Sequence, residues 1–183
     1  MSYQLEPGTP LAEYYAQTTP RVGTVLSRRN LGTLDAATIG RYAMTIGATD
    51  PTHYDDAAAR AAGYPDVVAP PNLLAAIVEW GVGTPEAELG PDGTPPDGDM
   101  PLGDHDLGLR VMGAGEEMEL IDAATAGTDL ILEVRLEALA PKHTRSGPCV
   151  FVTTSNTFMT GEGKALNRNR RTVVLRNPLQ EAR

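Results

Sequence analysis

The sequence predicts an α+β protein in which an antiparallel sheet wraps around one long central helix. Three observations carry that prediction. Helical periodicity is confined to the first half of the chain, and from Glu116 onward the apolar period switches to two. Between them lies Leu73 to Trp80, apolar on nearly all sides, which is the pattern of a helix buried by its surroundings rather than lying on a surface. Helices first, then long strands joined by short links, argue for antiparallel neighbours packed on a helix.

Each element follows in order. Residues 1–20, with Pro7, Pro10 and Pro20, read as an arm or a short helix around Leu11 to Ala16. Arg21 to Leu26 is the candidate first strand. Thr33 to Gly47 is expected to be helical, because Ile39, Ala43 and Ile46 share a face, Asp35 lies in the first turn and Gly47 can close it. Asp55 to Ala62 is a shorter, acid-led helix with Gly63 to end it. Asn72 is placed to cap the central helix, and Gly81 and Gly83 to stop it. Residues 82–107 are rich in Gly, Pro and Asp and lack any period, so they read as one long loop or insertion. In the second half, Leu132, Val134 and Leu136 alternate with Glu133, Arg135 and Glu137. Val150 to Met159 and Arg171 to Leu175 are two further strands, joined through a hairpin turn at Thr160 to Gly163. A single domain over 21–177, with a short tail at 178–183, accounts for the chain.

Composition narrows the function. The 183 residues are 41% hydrophobic and 21% charged, enough to build a core and too apolar for disorder. One cysteine, Cys149, excludes an internal disulfide and any cysteine-based zinc site, and His105 and His143 have too few partners for a metal. The opening MSYQLEPGTP has neither the basic nor the apolar region of a signal peptide, and the longest apolar run is Leu73 to Val78. The expectation is a cytoplasmic protein with no membrane segment. The net charge of −9 argues against nucleic acid as a partner. The charge is uneven, since residues 1–140 balance to −15 and residues 141–183 to +6. The basic end suits either a phosphorylated ligand or carrier protein, or simply a solvated strand face.

The segment YAMTIGATDPTHYDDAAARAAGYPDVVAPPN, from Tyr42 to Asn72, resembles the MaoC-type hydratase/dehydratase family, closest to its N-terminal-type, FAS1-like dehydratase domain. RSGPCVFVTTSNTFMTGEGKALNRNRRTVVLR and AATAGTDLILEVRL are similar to the family's final strands, so the likeness covers roughly residues 20 to 177. The resemblance implies a hot-dog fold acting on enoyl or hydroxyacyl thioesters of CoA or acyl carrier protein. It implies no separate cofactor, since CoA or phosphopantetheine arrives as part of the substrate. Fatty acid and polyketide metabolism both fit.

In catalytic relatives the signature runs Gly-Asp-x-Asn-Pro-x-His. Here Gly47, Pro51 and His53 match, Asp50 stands for the Asn, and Ala48 stands for the catalytic Asp. An alanine transfers no proton. Relatives also open the central helix with Ala-His-Gly, whose Gly N–H donates to the thioester carbonyl, whereas this chain has Ala69-Pro70-Pro71. Proline has no N–H, so Pro71 cannot donate. The expected function is the acyl-binding, poorly catalytic subunit of a hetero-oligomeric (R)-specific enoyl-thioester hydratase or 3-hydroxyacyl-thioester dehydratase. Pairing through hot-dog edges would give a homo- or heterodimer. The alternatives are an autonomous enzyme using His53 with Asp50, and a non-catalytic acyl-thioester-binding protein.

Candidate residues each carry a plainer reading as well. His53 and Asp50 are the catalytic candidates, yet His53 could pack beside the second helix and Asp50 could serve the turn before Pro51. Pro71, Asn72, Leu73 and Trp80 are expected at the substrate because they open or end the central helix, although Trp80, ending an apolar helix, reads first as core. Arg145 lies in a turn before a strand. Arg168 and Arg170 share one strand face and are the candidates for phosphate contact.

Overall fold

The computed structural model describes residues 3–78, 85–89 and 107–178. Helix α1 spans Pro10–Thr18, with the Thr9 side chain accepting from the Ala12 N–H and proline in the first turn. Strand β1 follows at Val25–Thr33, then α2 at Ala36–Thr45 and α3 at Asp56–Ala61. Four long strands follow among the described residues: β2 (Arg110–Leu120), β3 (Asp129–Thr144), β4 (Gly147–Thr160) and β5 (Ala165–Arg176).

The strands form one antiparallel sheet in the order β1-β3-β4-β5-β2. The expected succession of neighbours holds for β3, β4 and β5 and fails for β2, which pairs with β5 at the far edge. The link from β2 to β3 explains the crossing. It runs across to Val67–Ala69, where Ala69 N–H donates to the Ala124 carbonyl at 2.8 Å and Ala126 N–H to the Val67 carbonyl at 3.0 Å. It then reaches the link between β1 and α2, where Gly127 N–H donates to the Leu34 carbonyl at 2.8 Å.

The first strand begins later than the sequence suggested. Thr19–Arg21 is a 3₁₀ turn opened by proline at its second position, and the strand starts at Val25. Asp35 and Asp55 sit one residue outside their helices as N-caps, accepting from Thr38 N–H and Ala57 N–H respectively.

One sheet face carries the core. At one end Leu130, Leu132, Val134 and Phe158 pack against Ile39, Tyr42, Leu73, Leu74 and Ala75. At the other end Leu136, Val150, Val152, Val173 and Leu175 are covered by Leu11 and Tyr14 of α1, both fully buried. The opening segment thus completes the core. The central helix opens with a hydrogen bond from Ala76 N–H to the Asn72 carbonyl and continues as a π-helical turn over Leu74–Val78. Trp80, Gly81, Gly83 and most of the expected 82–107 loop lie outside the described residues; within it, Glu86–Glu88 forms a 3₁₀ turn.

Candidate functional site

The site is built where the chain leaves α2. Gly47 takes a positive φ of 69°, a conformation glycine adopts without steric cost. The chain then turns through a 3₁₀ element at Pro51–His53, with Asp50 as its N-cap. Both Asp50 contacts go to one residue: its carboxylate accepts from Thr52 N–H at 2.9 Å and from the Thr52 hydroxyl at 2.8 Å. Those two hydrogen bonds, with a smaller contribution from the nearby His53, hold its pKa below the usual carboxylate range. The turn residue and the site residue are therefore the same.

Two bonds fasten the turn to the strand-like segment at 67–69. Val68 N–H donates to the Thr52 carbonyl at 2.9 Å, and His53 Nδ1 lies 2.7 Å from the Val68 carbonyl. A carbonyl oxygen only accepts, so Nδ1 carries the proton and Nε2 is the acceptor of the neutral ring. An imidazole held in that tautomer is arranged as a proton acceptor at Nε2.

His53 and Asp50 line a cavity of about 580 Å³, together with Pro71, Leu74, Asp122 and Asn167. That volume lies within the range of small-molecule pockets, which hold about 300 to 1,000 Å³. Its wall is mainly apolar and includes Ala62, Val68, Ala69, Leu120 and Ala124. A second carboxylate, Asp122, is ion-paired with Lys164 and accepts from Ala123 N–H, and these bonds likewise lower its pKa. Both carboxylates at the cavity are thus held ionised by other partners. Ala48, half-buried, contributes its carbonyl to the Tyr54 hydroxyl at 2.6 Å and has no titratable group.

The helix start adds no donor at Pro71. Its carbonyl instead accepts from Asn167 Nδ2 at 3.4 Å. Leu73 N–H is used by the Pro70 carbonyl at 3.0 Å. Asn72 is exposed, and Leu73 is fully buried in the core behind the cavity.

The sequence candidates are therefore divided. Asp50, His53 and Pro71 meet in one cavity. Arg145 is exposed in the β3–β4 turn just before β4, whose start at Gly147 lies eleven residues, or roughly 35 Å at strand spacing, from Phe158. Arg168 and Arg170 lie on the sheet face opposite the core. Arg168 pairs with Glu119 at 2.7 Å, and Arg170 with Glu137 at 2.5 Å and Glu117 at 3.5 Å. Sequence reasoning missed Asp122 and Asn167. Asn167 had a signal, since an amide at an inward position of an alternating strand is out of pattern. Among the described residues no group of His, Cys, Asp and Glu could hold a metal, and no helix is long and apolar enough to cross a membrane.

Residues 22–168 match the family described as the FAS1-like, dehydratase domain region. The chain belongs to this family. A comparison with curated proteins found no match. Among solved structures, a chain of the ChsH1-ChsH2 complex from Mycobacterium tuberculosis is 23% identical with a TM-score of 0.68, covering 93% of both chains. A MaoC-like dehydratase from Rhodospirillum rubrum is 25% identical with a TM-score of 0.58, covering 86% of this chain and 94% of the other. A chain of the HadBC 3R-hydroxyacyl-ACP dehydratase complex, also from M. tuberculosis, is 14% identical with a TM-score of 0.59, covering 84% and 96%. The fold is the α+β hot dog of this FAS1-like dehydratase group. The family match ends at Arg168, so Asn167 on β5 lies inside it.

Proposed function

We propose that this chain is an acyl-thioester-binding hot-dog subunit that works in hydration or dehydration beside a catalytic partner subunit. One observation carries the reading: the cavity presents a tautomer-fixed His53, but Asp50 is engaged through Oδ1 as the cap of its own turn and Asp122 is ion-paired with Lys164. Hydration across a double bond needs a proton placed on one carbon and removed from water at the other. His53 can serve one of these steps through Nε2. The position that supplies the second group in catalytic relatives is Ala48, and Asp50 is held ionised with its Oδ1 bonded to Thr52. Loss of a positioned acid or base typically lowers rate by about 10² to 10⁴. Loss of an oxyanion donor, absent at Pro71, lowers it by roughly a further 10² to 10³. The likeness to chains of two hetero-oligomeric complexes, one of them a 3R-hydroxyacyl-ACP dehydratase, supports a subunit role.

The free Nε2 of His53 favours a second reading, an autonomous hydratase. One experiment separates the two. Purified chain and its His53→Ala variant are mixed with trans-2-butenoyl-CoA and loss of enoyl absorbance is followed, with affinity measured by calorimetry. The subunit reading expects binding by both and turnover by neither. Turnover by the wild type that disappears in the variant would establish the autonomous enzyme instead.

A further inference from the structure

Within the acyl-thioester reading just given, on which this inference rests, one buried group at the cavity has no assigned task. Asn167 is 2% exposed, and it lines the same cavity as His53. Its Nδ2 faces the Pro71 carbonyl at 3.4 Å and the Met118 sulfur at 3.6 Å. Because the Pro71 carbonyl can only accept, the amide cannot be turned over without opposing two acceptors, and Oδ1 must point away from Pro71. That oxygen is buried and has no hydrogen-bond partner among the described residues. A buried acceptor left unsatisfied costs about 1 to 3 kcal/mol, and such groups in native proteins are rare enough to call for a partner. The cavity lining includes Leu74, Leu120, Ala123 and Ala124, and the donor-bearing residues in it, Thr52, His53 and Tyr64, make no hydrogen bond to Asn167 Oδ1. Met118, whose sulfur contacts Nδ2, is a flexible thioether that lets the amide adjust at small cost.

We propose that Asn167 is a specificity-determining residue whose Oδ1 accepts a hydrogen bond from a hydroxyl on the acyl group of the bound thioester. A saturated or enoyl acyl group has no donor to offer, whereas a 3-hydroxyacyl group has one O–H. Sites that hydrogen-bond a ligand hydroxyl reject the analogue lacking it more strongly than an apolar wall can, because the buried polar group is then left unpaired. The chain accordingly favours the hydrated form of its substrate pair. Asn169, on the same face of β5, also has an unpartnered Oδ1, but its Nδ2 is held by Glu116 and it lies outside the cavity lining, which makes it an internal control.

The test is calorimetric binding of (R)-3-hydroxybutyryl-CoA, butyryl-CoA and trans-2-butenoyl-CoA to wild type, Asn167→Ser, Asn167→Leu and Asn169→Ser. The expected result is a wild-type preference of about tenfold or more for the hydroxyacyl ligand, collapsing toward unity in both Asn167 variants and retained in Asn169→Ser. Equal wild-type affinity for the three ligands overturns the proposal without any variant, so a variant that fails to fold does not protect it. An equal loss for all three on substitution also overturns it, because it would assign Asn167 to a pantetheine amide or to support of Pro71. No binding of any acyl-CoA removes the acyl-thioester reading itself, and this inference with it.

Discussion

His53 and Asp50 are three residues apart and belong to one 3₁₀ turn, yet their hydrogen bonds divide their roles. The imidazole is fixed through Nδ1 to Val68, leaving Nε2 for chemistry, while Oδ1 of the carboxylate caps its own turn. The folded pKa of Asp50 lies below its ordinary value, so the ionised group stabilises the turn above the unfolded pKa of about 3.9. That contribution is lost as pH falls through the lower, folded value. Thr52 supplies both bonds, and Thr52→Val removes one. The expected outcome is an upward move of the Asp50 midpoint toward the ordinary range, read from the carboxyl carbon shift in an NMR titration. An unchanged midpoint would mean that the backbone N–H alone holds the charge. The signature of Gly, Pro and His in this turn was legible from residue types. The tautomer was not, because it depends on Val68, fifteen residues away, presenting a carbonyl rather than a donor.

At the scale of the element, the strands show why alternation reveals some structure and hides the rest. β3 was readable because its buried and wet faces alternate cleanly over Leu130 to Leu136. β1 is an edge strand whose residues Ser27, Arg28, Arg29 and Asn30 bury little, so its sequence carries almost no period. The position of β2 was hidden for another reason, since neighbour rules follow chain order and the 121–128 link crosses the sheet. Where the strands meet, energy is concentrated. Phe158 opposes Leu132 in the β3–β4 register, both fully buried, and Phe158→Ala is expected to cost about 3 to 5 kcal/mol in denaturant unfolding. Arg176, 9% exposed at the end of β5, was not singled out from sequence and proves to latch the β3–β4 turn. Its guanidinium donates to the Ser146 and Gly147 carbonyls at 2.9 and 3.2 Å and to the Thr144 hydroxyl at 2.8 Å. Arg176→Met leaves those acceptors without their donor, an expected loss of about 1 to 3 kcal/mol. Faster amide exchange should be confined to the residues flanking the turn. An unchanged stability would place those carbonyls in water rather than in the fold.

For the whole molecule the sheet order leaves β1 and β2 as the edges among the described residues, and they are unlike one another. β1 is interrupted by two register shifts and carries adjacent arginines, features that discourage a further strand. β2 is eleven residues long with a single shift at Gly113 to Gly115, and it exposes Val111, Met112 and Leu120, with Ile121 immediately beyond its end. A long edge with apolar side chains and unpaired backbone groups is a template for another strand. The charge pattern also points to this edge. The outward arginines of β5 are already matched by Glu117 and Glu119 of β2, so the strand's acidic residues do not leave the edge with uncompensated like charge. Edge pairing through β2 is therefore the expected route to a dimer, with a second copy or with a catalytic hot dog. Met112→Glu together with Val111→Lys places charges at the pairing surface without touching the His53 cavity, whose lining near β2 begins at Leu120. Light scattering across a dilution series should then report a dimer for the wild type and a monomer for the double variant, with acyl-CoA binding retained by both. A wild type that remains monomeric when isolated, yet captures a His- and Asp-bearing hot-dog subunit only while β2 is intact, would assign the edge to a heterodimer. A variant that dimerises as well as the wild type would move the interface to β1 or to the helix side of the sheet.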